Sequence, residues 1–157
     1  MRLTLYTDYA LRTLLYLAVH TDRRVSIREV AQTYGISENH LVKIIHHLGR
    51  GGFVHTQRGR GGGLTLGRPA EEICVGDVVR HTEEDMVLVG CMTRNGEEGM
   101  PCLLAKGCSL RGVLAQALDA FMGVLDKATL ADLLHPYERR TLLQAAEHRH
   151  DPDPAGR

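Results

Sequence analysis

Cys91, Cys102 and Cys108 fall within 18 consecutive residues and are three of the four cysteines in the chain. Thiolates gathered in this way are soft ligands, suited to iron–sulfur clusters and to zinc. The intervals between them match neither the paired spacing of a zinc knuckle nor the redox C-x-x-C pair. Spacing alone therefore leaves an iron–sulfur cluster, zinc, a redox switch and free thiols all open. Cys74 stands apart among Ile73, Val75, Val78 and Val79, where it reads as a small buried hydrophobe and not as a fourth ligand.

Other chemistry is harder to find. Gly59 to Gly63 lacks the Gly-Lys-Ser/Thr ending of a P-loop, and a strand pattern follows it where a phosphate-binding helix would be needed. No nucleophile–base arrangement stands out, so the chain does not read as an enzyme. The N-terminal apolar run is interrupted by Asp8 and Arg12, with no small-residue cleavage site after it. This excludes a signal peptide. No stretch reaches the roughly 18 apolar residues that span a bilayer, and a cytoplasmic protein with no membrane partner is expected. In that compartment clustered cysteines bind metal or sense redox state more often than they form disulfides.

The net charge of zero hides two unlike halves. Residues 1–68 hold ten Lys and Arg against four Asp and Glu, a balance of +6, whereas residues 69–157 hold nine against fifteen, a balance of −6. A basic half joined to an acidic one suits a polyanion partner for the first half only.

The elements that must position these groups follow from periodicity. Residues 3–20 carry a broad apolar face at helical spacing. Ser26 with Glu29 forms a capping box that opens a helix ending at Gly35. Ser37 is placed to cap a second helix, from Glu38 to about Leu48, before Gly49-Arg50-Gly51-Gly52 breaks it. Two short helices around a glycine turn form a helix-turn-helix pattern. Strand-like residues 53–56 and 64–66 flank a flexible, basic, glycine-rich tip carrying Arg58 and Arg60, which predicts a hairpin wing. A short helix is expected from Ile73 to about Glu83. The cysteine loop then leads into a one-sided helix from Ser109 to Lys127, long enough to need a partner surface. The expected fold is mainly α with a small β-hairpin wing: a winged helix-turn-helix domain over 1–83, a cluster-binding loop over 84–108, and a dimerisation helix with its following segment over 109–135. A polar tail over 136–157 is predicted to be disordered.

In a helix-turn-helix the second helix presents its first residues to base edges in the major groove. Here these are Ser37, Glu38, Asn39, His40 and Lys43. Asn pairs bidentately with adenine, Glu accepts from cytosine, and Lys reaches guanine or phosphate. Arg58 and Arg60 would follow the backbone or enter the minor groove. His46 and His47 read as solvated or packing residues.

In this order, the pieces resemble a family of bacterial iron–sulfur winged-helix transcriptional regulators that includes the cluster-assembly regulator IscR. Within it they are most similar to the nitric-oxide-sensitive repressors. The resemblance covers about residues 1–134 and rests on Thr7-Asp8-Tyr9, Leu11-Arg12, Tyr34-Gly35, Asn39-His40, Val42-Lys43-Ile44-Ile45, Gly76-Asp77-Val78-Val79-Arg80, the three cysteines, and Thr129-Leu130-Ala131-Asp132-Leu133. It implies a homodimeric repressor that binds double-stranded operator DNA and carries one iron–sulfur cluster per subunit on Cys91, Cys102 and Cys108, with 4Fe–4S favoured over 2Fe–2S. It further implies a non-cysteine ligand near the start of the first helix, supplied by the partner subunit, a place that Asp8 occupies. Asp8 also suits a helix-dipole partner. Cluster-assembly regulators instead use a His three residues beyond the last cysteine, where this chain has Arg111.

The function so implied is a transcriptional repressor released from DNA when nitric oxide attacks its cluster. Two alternatives stand beside it: a thiol-redox or iron-status sensor of the same fold, and a zinc-stabilised interaction module that does not read DNA. The interval from Thr93 to Met100 is longer than is usual in the family and is expected to form an exposed bulge.

Overall fold

The computed structural model describes residues 2–92, 104 and 107–147. The bulge over 93–100, Cys102 and the terminal Asp-Pro-Asp-Pro-Ala-Gly-Arg segment lie outside the described residues. Helix α1 (Leu5–Val19) opens at Thr4, whose hydroxyl accepts from the Thr7 amide. Its Leu14, Tyr16 and Leu17 are fully buried. Helix α2 (Ile27–Tyr34) opens at Ser26, whose hydroxyl accepts from the Glu29 amide at 3.0 Å, and ends at Gly35.

Helix α3 (Glu38–Arg50) begins at the expected residue but differs from the sequence reading in how it is capped and where it ends. Ser37 sits at the N-cap position, but its side chain makes no capping hydrogen bond. Its carbonyl instead accepts from the His40 and Leu41 amides. At the other end the helix runs through Gly49 and Arg50. It stops at Gly52, which takes the left-handed conformation at φ 73° while the Phe53 amide reaches back to the Leu48 carbonyl at 3.0 Å. That 6→1 bond is the Schellman closure, and glycine adopts its backbone conformation without a Cβ penalty.

Strands β1 (Val54–Gln57) and β2 (Gly63–Leu66) pair antiparallel, with Val54 opposite Leu66 and Gln57 opposite Gly63. The wing is anchored to the body by reciprocal backbone bonds between Val25 and Leu64, at 3.0 and 2.8 Å. Its tip, read as flexible from composition, contains a turn in which the Gly62 amide donates to the Gly59 carbonyl and Arg24 reaches the Gly61 carbonyl.

Helix α4 (Val75–Thr82) is shorter than expected, because Ile73 and Cys74 are extended and Cys74 forms a β-bridge with Thr129, after a separate 3-10 turn at Ala70–Glu72. Helix α5 (Ser109–Leu125) is 17 residues long, about 25 Å at 1.5 Å per residue. A final helix, α6 (Pro136–Glu147), corrects the prediction of a disordered tail from residue 136. Its Leu142 and Ala146, one turn apart, pack against the core of α1, α2 and α3. These two apolar residues on one face dock the helix, although its composition averages out as polar. The core itself joins Leu14, Leu17, Val25, Val30, Leu41, Ile44, Leu48, Leu64, Ile73, Val78 and Leu130, so that the recognition-type helix, the wing and α4 share one packed interior.

Candidate functional site

The α3 residues at issue are held outward by what lies beneath them. Leu41, Ile44, Ile45 and Leu48 are buried at three- and four-residue steps, which turns Ser37, Glu38, Asn39, His40 and Lys43 to solvent, where all five are exposed. Arg58 and Arg60 are likewise exposed on the wing. The structure therefore presents the seven residues as two solvent-facing groups, one on a helix and one on a hairpin. The sequence reading overlooked Val42, which is 50% exposed three positions beyond Asn39. An apolar side chain uncovered on such a face suits contact with a thymine methyl. Its signal was available: a β-branched apolar residue between buried positions and out of register with them.

Several contacts brace the base of α3. His81 Nε2 lies 2.8 Å from the His47 carbonyl, so this nitrogen is the one that carries the proton, and the two imidazole rings approach to 4.1 Å. Burial, followed by the charges of His81, Arg50 and His46, lowers the His47 pKa. His47 is thus a packing residue between α3 and α4, while His46 is exposed.

Of the three loop cysteines, Cys91 belongs to the 3-10 turn Gly90–Met92, and Cys108 is a free, half-buried thiol at the N-cap position of α5. Cys102 lies outside the described residues, and among the described residues no three metal-ligating side chains come together. The donor set nevertheless fits an iron–sulfur cluster in its chemistry: three thiols from one loop, with one coordination place left for another group. Cys74 is half-buried. Its sulfur lies 3.7 and 3.5 Å from the Leu125 and Asp126 carbonyls, at the end of α5.

Asp8 sits in the first turn of α1, partly exposed, with its Oδ1 2.9 Å from Arg12 Nε. In the single chain its partner is thus its own helix neighbour. The same helix start is pinned from another direction that the sequence reading did not foresee. The Thr4 amide and hydroxyl both donate to Glu83 Oε1, at 2.8 and 3.0 Å, and the Thr7 and Thr82 hydroxyls meet at 2.8 Å. Residues 82 and 83 lead directly into the segment that carries the cysteines. The position of Asp8 is therefore tied to the start of the cysteine-bearing segment.

Comparison with known proteins bears on this arrangement. The family model for Rrf2, described as an iron-dependent transcriptional regulator, matches residues 3–136. The chain belongs to the Rrf2 family. The HTH-type transcriptional regulator NsrR of Bacillus licheniformis is 48% identical over 135 residues, covering 85% of this chain and 92% of that protein. Among solved structures, CymR, the global cysteine regulator of B. subtilis, superposes with a TM-score of 0.68 at 28% identity, over 85% of this chain and 95% of its own. IscR of T. potens superposes with a TM-score of 0.66 at 25% identity, over 98% and 93%. The fold is accordingly that of the Rrf2 winged-helix regulators, and this Rrf2 protein is a transcriptional regulator, for which DNA is the partner. No helix among the described residues is long and apolar enough to cross a membrane.

Proposed function

We propose that this Rrf2 protein is a homodimeric, nitric-oxide-sensing repressor of operator DNA. Cys91, Cys102 and Cys108 would hold an iron–sulfur cluster, 4Fe–4S in preference to 2Fe–2S, with Asp8 of the partner subunit completing it. Ser37, Glu38, Asn39, His40 and Lys43 would meet base edges, and Arg58 and Arg60 the backbone. The observation that carries the reading is the link between the two sites: Thr4 and Thr7 fasten the start of α1 to Glu83 and Thr82, while α1 packs on α3 through the shared core.

Dimerisation is supported by α5. Leu110, Val113, Ala117, Ala120 and Val124 are all exposed and recur at alternating three- and four-residue steps, and Met122 is the one buried residue of the helix. A continuous apolar stripe of this kind is the seam of a helix–helix interface. A dimer would set two α3 helices about 34–36 Å apart in successive major grooves of a near-palindrome.

When bound, a cluster supplies iron that nitric oxide attacks, displacing its protein ligands. The chain's own part is to convert ligand release into altered spacing of the two α3 helices. Without the partner's Asp8 as a ligand, the start of the partner's α1 would no longer be tied to this subunit's cysteine loop, although within each chain Thr4 and Thr7 stay fastened to residues 82 and 83. A loss of 1.4 kcal/mol of pre-organisation lowers affinity about tenfold. The test is Cys102→Ala: it should stay folded and dimeric and lose operator retention in a gel-shift assay. Undiminished retention would contradict the reading.

A further inference from the structure

A cavity of about 590 Å³ lies between the C-terminal end of α1, the root of the wing and the first turn of α6, and none of the α3 residues that face solvent lines it. Its size falls within the range of small-molecule sites. Leu17, Leu66 and Pro69 supply an apolar wall, and His20, Arg68 and Arg139 supply polar groups. His20 is only 4% exposed. Its Nδ1 lies 2.9 Å from the Tyr16 carbonyl and so must carry the proton there, while the ring stacks on Tyr16 at 4.3 Å.

That leaves His20 Nε2 turned away from the helix and without a hydrogen-bond partner. Among the described residues, three buried side-chain polar atoms lack one: His20 Nε2, Arg68 Nε and Glu138 Oε2. Two of them, His20 Nε2 and Arg68 Nε, belong to residues that line this cavity. A buried polar atom left unpaired costs about 1–3 kcal/mol, and such costs seldom gather in one place without a group that relieves them. Arg68 is fixed with its guanidinium 4.8 Å above the Phe53 ring, and the Arg139 Nε is committed to the Leu134 carbonyl at 3.1 Å. Both arginines are therefore pre-positioned, and Glu71 is the sole carboxylate on the wall.

We infer that this cavity is a second ligand site, one that binds a small organic carboxylate. Arg68 and Arg139 receive the oxyanion, His20 Nε2, left as an acceptor by the Nδ1–H bond to Tyr16, accepts from a hydroxyl of the ligand, and the hydrocarbon lies against Leu17, Leu66 and Pro69. The apolar wall is what selects an organic anion over an inorganic one. Because one wall is the root of β2 and another is α6, an occupied site ties the C-terminal helix to the wing.

Sodium lactate is a suitable probe, since it carries a carboxylate, a hydroxyl and a methyl group. Calorimetric titration of the full-length protein should give saturable binding, with a matching rise in Tm, and sodium chloride at equal ionic strength should give neither. Arg139 lies on an exposed position, so R139Q should fold normally and bind lactate about tenfold more weakly, the loss of one charge-assisted contact. Arg68→Gln should weaken binding in the same direction. Binding should persist in Cys102→Ala, which separates this site from the cysteine loop. Lactate heats no different from chloride, or binding unchanged in R139Q, would overturn the proposal. Phosphate binding as tightly as lactate would overturn its organic specificity.

Discussion

Arg80 holds Asp126 with both guanidinium nitrogens, Nη1 to Oδ1 at 2.7 Å and Nη2 to Oδ2 at 2.6 Å. The pair joins α4, part of the winged-helix body, to the residue that ends α5. Around it the Val75 amide donates to the Ala128 carbonyl, the Leu130 amide donates to the Ile73 carbonyl, and Cys74 bridges to Thr129. Gly76 makes the approach possible, because a Cβ there would stand 1.9 Å from Asp126 Oδ1. Whatever moves α5 is therefore delivered to α4, and through the α4–α1 contact to the start of α1.

Replacing Gly76 by Ala should expel Asp126 from its place and separate α5 from α4. The expected outcome is a lowered Tm and weakened operator binding, with the far-ultraviolet circular dichroism retained. Arg80→Gln should have a smaller effect on Tm, since exposed ion pairs add little to stability. A Gly76→Ala protein as stable as the parent would show that the close approach is dispensable.

The Asn39 side chain is exposed on α3. Asn39→Ala should cost about 1–3 kcal/mol at a single base pair, about 5- to 150-fold in affinity, with the loss confined to that position across a panel of operator variants. Arg58→Gln should weaken binding evenly across the panel and reduce its salt dependence. Equal behaviour of the two variants would mean that α3 and the wing do not divide the work in this way.

Asp8 and Arg12 make a sharper test of the ligand proposal. If Asp8 serves only its own helix, Asp8→Asn and Arg12→Gln should behave alike, because each breaks the same 2.9 Å contact. The account expects them to differ: Asp8→Asn should make iron loss markedly faster, and Arg12→Gln should leave it near the parent rate. Iron release to a chelator, followed by absorbance, distinguishes the two.

Stability should fall on the acid side partly through Glu29. Burial raises its carboxyl pKa, but hydrogen bonds from Arg23 and Tyr16, the Arg23 charge and the Ser26 amide outweigh that, and the net shift is downward. A carboxyl with a depressed folded-state pKa stabilises the fold above its ordinary unfolded-state pKa. That contribution is lost as pH falls through the lowered native one. Glu29→Gln should therefore lower Tm at neutral pH and flatten the acid limb of the Tm profile. Parallel profiles for the two proteins would rule Glu29 out as a contributor.

Val113 lies 61% exposed in the stripe along α5. A charge there should split the dimer, so Val113→Glu should sediment as a monomer while keeping its helix content. Dimer retention would place the interface elsewhere.

Much of this was legible in the residues themselves. Buried Leu41, Ile44, Ile45 and Leu48 announced α3, and Val54 and Leu64 on either side of a run of glycines announced the wing. What escaped was non-local. Nothing in the isolated sequence says that Glu83 will cap the helix begun at Thr4, 79 residues earlier, or that Asp126 will need Gly76. Helix α6 escaped for another reason: its polar composition masked Leu142 and Ala146, whose docking depends on a core built from other helices. Ser37 kept its capping position without its capping bond, because a residue type predicts where a helix starts better than which atom satisfies the freed amide.

The central claim is that the loop cysteines hold an iron–sulfur cluster that nitric oxide attacks, and that this attack releases DNA. The most direct test is an absorbance titration with nitric oxide of protein purified without oxygen, with iron, sulfide and operator binding assayed on the same samples. The account predicts a brown protein containing iron and sulfide, whose visible absorbance bleaches in step with the loss of operator binding. A colourless protein that carries no iron after reconstitution, and that releases DNA no differently with nitric oxide, would contradict it.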